Sequence, residues 1–300
     1  IPGCKNIKIA SRTNQRIIML NKGADDKGFM VCKDCGAAMP GDDIAVLKNI
    51  ERPYKLRFAK SKCRHANTFN VNLGYDFITD MLVLEFTIDD KVIDVRRKDN
   101  PWLSRAAQSL AEALRLVASK KLDVEFTELV TGYRLRTGSE ASYIDIYLYD
   151  SLSSGAGYAV SVADSITDLL ADVREMLSAC DCGAACSKCL KHYRNQFVHG
   201  KLDRFAALQL LKLGVDGKKA SPLNVATQIK MIMPLVNILK ESGCDITFDE
   251  AIIASGRRTK KIVVYPAMWV EPKDIDTIFV SDAYIKYAKP YAVQKILDNI

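Results

Sequence analysis

The chain has 300 residues, 48% of them hydrophobic and 26% charged, with 16 glycines and 9 prolines. That is the balance of a globular protein with room for two domains, or for one domain and a sizeable appendage. No run of about 18 apolar residues occurs, which excludes a membrane-spanning helix, and a net charge of +7 is compatible with an acidic partner without establishing one.

The first residues, "IPGCKNIKIA", lack an initiator Met and the basic, apolar and small-residue regions of a signal peptide. They suggest a piece of a longer protein, or the end left by a removed tag, in a cytoplasmic setting. Residues 1–98 read as strand-rich. "QRIIMLNKG" and "GFMVCKDCG" are short apolar runs punctuated by Gly, Asn and Asp, as in a hairpin. Within the second run, Cys32-x2-Cys35 followed by Gly36 has the form of a zinc-ribbon knuckle. Cys63 and His65 in "SKCRHANTF" are candidate third and fourth ligands. A surface histidine is the competing reading of His65.

Between these sets lies the densest basic stretch, "RPYKLRFAKSKCRH". It carries Arg52, Lys55, Arg57, Lys60, Lys62 and Arg64, with Tyr54 and Phe58 interleaved. Cations beside aromatics suit phosphate contact and base stacking; a solvated charged face is the plainer alternative. "DMLVLEFTI" (80–88) alternates as a half-buried strand, and "RRK" (96–98) adds positive charge.

"NPWLSRAAQSLAEALRLVASKKL" predicts a helix with Asn100 as N-cap and Pro101 in its first turn. Leu103, Ala107, Leu110, Leu114 and Val117 recur every three or four residues and give it one apolar face. A strand follows at 143–149, then the turn "SSGAG" and one long helix from about Tyr158 to Leu177. Gly155-x-Gly157 lacks both the Gly-Lys-Ser/Thr ending of a phosphate loop and the third glycine of a dinucleotide fingerprint. A tight turn that lets helix pack on strand is therefore expected. Asp145 and Asp150 flank the strand; Asp150 is read as capping the turn rather than as an acid/base group.

The helix runs into "ACDCGAACSKC", which holds Cys180, Cys182, Cys186 and Cys189 as C-x-C-x3-C-x2-C. Disulfides suit such near neighbours poorly, and no secretory signal favours them. A four-thiolate zinc site suits them best, with an iron–sulfur cluster or no metal as alternatives. With every ligand position filled by protein, such a metal holds a fold and performs no hydrolysis. Lys188, Lys191 and Arg194 follow in "KCLKHYR". His192 is a weaker metal candidate, and His199 is read as closing a turn.

Residues 201–213 predict another amphipathic helix, and "GVDGKKASP" (214–222) a linker. A small α/β unit comes last: a helix over 223–242, strands "CDITF", "IVVYP" and "DTIFVS", a basic turn "GRRTKK" and a final helix. Cys4 and Cys244 stand alone and read as small buried hydrophobes. The expected class is α+β. It divides into a strand-rich part with a zinc knuckle (1–98), a helix–strand–helix zinc-binding core (99–214) and a C-terminal α/β appendage (215–300).

Taken together, "SLAEALRLVASKKLDVE", "IDIYLYDSLSSGAG", "CDCGAACSKCL" and "KLDRFAALQLL" resemble, over residues 29–211, the zinc-binding domain of the MrfA-like helicase family. That module is found in superfamily 2 helicases and in proteins of the DISARM and Druantia anti-phage systems. The resemblance implies that the four clustered cysteines bind Zn2+. It also implies that Gly155, Ala156 and Gly157 form the family's Gly-Gly-Ala-Gly turn, with Ser154 where glycine is usual.

No ATPase, deaminase or two-metal nuclease pattern is legible, so the chain by itself is expected not to be an enzyme, although its parent could be an ATP-dependent helicase. The expected role is a zinc-binding accessory domain in defence or repair, contacting DNA or docking onto the helicase core or other defence subunits. A pure protein–protein scaffold is the alternative.

Overall fold

The computed structural model describes residues 1–50, 63–96, 100–139 and 141–300. It is a mixed α and β protein whose residues group into two compact units, one of 14–79 and one of 1–13 with 80–300. Two long strands, β1 (Ile7–Asn21) and β5 (Leu73–Ile88), contribute to both.

In the smaller unit, β2 (Phe29–Cys32) pairs antiparallel with β3 (Ala38–Pro40) on one side and β4 (Thr68–Val71) on the other. Met30 stands opposite both Met39 and Asn70. A single-turn helix, α1 (Ile44–Leu47), starts at Asp43, whose side chain accepts from the Ala45 N–H at 2.8 Å. Among the described residues the buried apolar side chains here are Cys32, Cys35, Ala37 and Leu47, with Met30, Met39, Ile50 and Cys63 packed against them. A cross-link or metal adds stability to a small core of this kind, where burial alone contributes little.

The larger unit is built on a four-stranded sheet in the order β1-β5-β7-β6, with β6 (Leu129–Thr137) and β7 (Ser142–Asp150) forming a hairpin. Helix α2 (Pro101–Leu122) begins as expected: Asn100 accepts from the Trp102 N–H at 3.0 Å, and Pro101 occupies the first turn. Its predicted face of Leu103, Ala107, Leu110, Leu114 and Val117 is buried, each leucine contributing about 1.5–3 kcal/mol by leaving water.

The single helix expected over 158–177 is two. α3 (Tyr158–Asp164) and α4 (Ile166–Ala179) meet at Ser165, which leaves helical geometry at φ −112°, ψ 23°. The next helix, α5 (Arg204–Asp216), is capped by Asp203 and takes in the first three residues of the expected linker (214–222), whose remaining residues, 217–222, are neither helix nor strand. Gly214 lies inside it, buried, where an added Cβ would stand 2.4 Å from Phe86 and 2.6 Å from Ile7. That glycine is a contact point of the core, not a hinge.

Residues 225–300 carry a second core. Helix α6 (Val225–Glu241) packs on a sheet ordered β11-β10-β9-β8, made of β8 (Asp245–Phe248), β9 (Ile252–Ser255), β10 (Thr259–Tyr265) and β11 (Thr277–Ser281). β10 and β11 are parallel and the other pairs antiparallel. Two short helices, α7 (Asp282–Tyr287) and α8 (Lys289–Leu297), close the chain. Polar bonds fasten this part to the first core: Asn100 Nδ2 donates to the Ala267 carbonyl at 3.0 Å, and the Val270 N–H donates to Val92 at 2.8 Å. Among the described residues no helix is long and apolar enough to cross a membrane.

Candidate metal centres

Helix α4 ends at Ala179, and Cys180, in extended conformation, begins the cysteine cluster. The chain then folds back twice, with the N–H groups of Cys189 and Lys191 both donating to the Cys186 carbonyl, at 3.1 and 2.9 Å. The four sulfurs converge: Cys180–Cys186 at 3.5 Å, Cys182–Cys189 at 3.7 Å and Cys186–Cys189 at 3.9 Å. All nine cysteines are free thiols.

These separations discriminate between the three chemistries open to the sequence. A disulfide would bring two sulfurs to about 2.05 Å. Thiolates on different irons of a cluster would stand farther apart than ligands of one ion. Four sulfurs about 2.3 Å from one tetrahedral zinc lie about 3.8 Å from each other, and the observed spacings bracket that value. Burial pushes the Cys189 thiol up to about 12, whereas the Lys188 backbone N–H draws Cys186 down to about 7. Four thiolates at neutral pH therefore need a cation among them.

The loop is held by residues that the cysteine pattern does not reveal. Arg204, buried, donates through Nε to the Cys182 carbonyl at 2.9 Å and through Nη1 to Leu177 at 3.0 Å, while its N–H donates to Ala184 at 2.8 Å. Asp203 caps α5 through Oδ1, which accepts from the Phe205 N–H at 2.9 Å. Its Oδ2 accepts from Lys286 Nζ and Tyr287 Oη. Lys286 also donates to the Gly183 carbonyl at 3.2 Å. A buried arginine next to a helix-capping aspartate was the available signal, carried by "KLDRF".

The second cluster lies in the smaller unit. Gly36, at φ +72°, turns the knuckle after Cys35, and its N–H donates to the Cys32 carbonyl at 2.9 Å. Cys32 Sγ lies 3.5 Å from Cys63 Sγ, and Cys35 Sγ lies 3.6 Å from His65 Nδ1. For a sulfur and a nitrogen on one tetrahedral zinc the expected separation is about 3.6 Å. His65 is wholly buried, against the alternative of a surface histidine. Its Nε2 lies 2.8 Å from the Ile50 carbonyl, which can only accept, so the proton sits on Nε2 and Nδ1 keeps its lone pair for a metal. In each set the four donor atoms lie within 4.8 Å of one another.

The other expected residues fall elsewhere. His192 Nδ1 accepts from the Arg194 N–H at 3.1 Å, and its ring stacks on Phe126, so it is a cap and not a ligand. His199 Nε2 lies 3.0 Å from the His192 carbonyl, closing the turn. Asp150 accepts from the N–H groups of Ala156, Tyr158 and Ala159 at 2.6, 3.1 and 2.8 Å. The Gly-rich turn thus spends its donors on an internal carboxylate and offers none of those three to a phosphate. Gly155 is required because a Cβ there would stand 2.4 Å from Asp80. Asp145, buried, is held by Arg134 and Arg136 at 2.7 and 2.5 Å. Of the basic residues, Arg64, Lys188 and Arg194 are exposed and Lys191 half-buried; Arg52, Lys55, Arg57, Lys60 and Lys62 lie outside the described residues.

Residues 110–190 match the family model of the MrfA Zn-binding domain, a narrower span than the 29–211 over which the motifs run. Druantia protein DruE of Escherichia coli (strain UMEA 4076-1) is 31% identical over 280 residues, covering 85% of this chain and 15% of DruE. Crystal structures of DUF1998 helicase MrfA bound to DNA, and to DNA and AMPPNP, align with 68% of this chain at 15% and 13% identity. Their TM-scores are 0.38 and 0.36, and the alignments span 25% and 22% of those chains. The chain thus corresponds to about a seventh of the curated relative and about a quarter of the solved ones. Residues 110–190, with the first cysteine cluster at their end, thus match the MrfA Zn-binding domain, within a chain similar over 280 residues to Druantia protein DruE.

Proposed function

We propose that Cys180, Cys182, Cys186 and Cys189 bind one zinc and Cys32, Cys35, Cys63 and His65 a second. The domain would then contact DNA for an anti-phage defence helicase or its partner. Both metals are structural on this reading, since each cluster supplies four protein ligands and leaves no position for substrate. The first holds the end of α4 against the start of α5, through Arg204 and Asp203. The chain itself performs no catalysis; ATP-driven unwinding, if it belongs to the parent, resides in the remainder of the protein.

The observation that carries the DNA reading is the placement of Lys188, Lys191 and Arg194. They lie within and just beyond the first cluster, and two of the three are exposed. Fixing these cations on a metal-braced loop lowers the ordering cost of meeting a phosphate backbone. If six phosphate contacts form, affinity should fall about 10³-fold between 50 and 200 mM salt. Replacing Lys188, Lys191 and Arg194 by Ala is expected to reduce the salt slope by about 3. A salt-independent affinity would reject the reading.

Docking onto the helicase core or another defence subunit is the second reading. Ile18, Leu20, Leu73, Tyr75 and Ile78 of the smaller unit favour it, being large apolar side chains left about half or more exposed. Co-purification with the parent helicase, lost on Ile18→Glu with Tyr75→Glu, would support it; unchanged co-purification would reject it.

A further inference from the structure

We infer that Tyr193 and Phe197 form a stacking platform for the unpaired bases of a single-stranded nucleic acid, whose phosphates are met by Lys188, Lys191, Arg194 and Lys201. The inference rests on the nucleic-acid reading above and adds to it the form of strand that is recognised.

Residues Tyr193–Lys201 make a short 3-10 run directly after the first cluster, and the only side chain it buries is Asn195. Both of its aromatic rings face solvent, Tyr193 at 76% and Phe197 at 80% exposure. An ordinary surface segment of an apolar-cored protein turns its rings inward, where each would contribute a large burial energy. Here the opposite arrangement is locked in place. Asn195 Nδ2 donates to Glu112 Oε2 and to the Leu190 carbonyl, both at 3.0 Å, and its Oδ1 accepts from the His192 N–H at 2.7 Å. His199 Nε2 adds a bond to Asn195 Oδ1 at 2.9 Å, and Arg105 Nη1 donates to the Gly200 carbonyl at 2.7 Å. The fold thus spends buried polar bonds on presenting two rings to water.

The surrounding charge selects the occupant. Residues 188–201 contain four Lys or Arg and no acid. Among the described residues none of the four pairs with a carboxylate. Exposed rings interleaved with unpaired cations are what an unstacked, anionic strand requires, because every base offers a π-face and every linkage a phosphate. A duplex hides its base faces and could use the cations alone.

The test is fluorescence anisotropy with the full zinc-loaded chain. The probes are labelled DNA and RNA single strands of one mixed sequence, and the DNA duplex of the same length. The intact chain should bind single strands more tightly than duplex. Tyr193→Ala combined with Phe197→Ala should weaken single-strand binding by about 10-fold or more per ring, and change duplex affinity by less than about twofold. Tyr193→Trp with Phe197→Trp should restore single-strand affinity. Zinc content and circular dichroism report that the variants fold, and neither ring belongs to a core. Equal binding of DNA and RNA strands supports a platform blind to the 2′-hydroxyl; a preference for one supports the platform and names the source. If the double Ala variant binds single strands like the intact chain, or loses strand and duplex equally, the stacking inference fails while the nucleic-acid reading stands. If the intact chain binds no nucleic acid at low salt, both fail together.

Discussion

Asp145 and Ser154 show how single residues in this fold are held against their ordinary preferences. Burial alone would raise the Asp145 carboxyl, but hydrogen bonds from Arg136 and Arg134 outweigh it and hold the group below the usual carboxylate range. A pKa lower in the folded than in the unfolded state gives stability that is present above about pH 4 and is lost as pH falls through the folded value. Asp145→Asn is expected to cost about 1–3 kcal/mol at neutral pH, since both arginines keep a third or more of their side chains in water. It should also flatten the loss of stability on acidification, read by urea unfolding across pH 3 to 7; an unchanged pH profile would show that the ion pairs contribute nothing. Ser154 sits at φ +78°, in the left-handed region, with Gly155 beside it at the same angle. Glycine there removes the Cβ penalty, so Ser154→Gly should stabilise the protein by about 1 kcal/mol, seen as a higher urea midpoint at constant slope. A lower midpoint would mean that the serine side chain makes a contact worth more than the strain.

At the scale of elements, the parts that read clearly in the sequence are those in which local signals agree. Asn100-Pro101 starts a helix whose apolar face is continuous, and α2 runs from Pro101 to Leu122. What did not read clearly has identifiable causes. β6 was missed because Arg134 and Arg136 alternate through a strand whose polar face is satisfied by the buried Asp145 of β7, a long-range pairing. β9 is four residues long and depends on β8 and β10 for its bonds. The α3–α4 break leaves the apolar period almost intact, and so it did not show. Gly214 looked like punctuation because its packing against Phe86 and Ile7 is tertiary. It gives a direct contest of magnitudes. Gly214→Ala gains about 1 kcal/mol in helix propensity, yet overpacks the core at a cost of about 1–3 kcal/mol. A net loss of about 1 kcal/mol is expected in thermal unfolding; a gain would mean that Phe86 and Ile7 yield easily.

For the whole molecule, the candidate metal sites were more legible than the fold around them. Cysteine spacing is a local property, and four thiols in ten residues have few uses. The ligand sets could be proposed from sequence, with His65 uncertain because its burial and its bond to Ile50 arise only when distant segments meet. Arg204, Asp203 and Asn195 stayed hidden for the same reason: each acts by tying the metal-bearing loop to elements far away in sequence. If the second cluster holds a metal, folding of the smaller unit depends on it, because the described part of that unit buries four apolar residues around the candidate ligands. Chelation should melt that unit first, as a loss of protection in hydrogen exchange over 29–50 and 63–71, with the larger sheet persisting. The most direct measurement is the metal content of the full chain, purified without added metal, by plasma mass spectrometry. Two zincs per chain are expected, falling to one on Cys35→Ser with the first cluster still loaded. A folded chain carrying one zinc would remove the second site, and a folded chain carrying none would contradict the account at its centre.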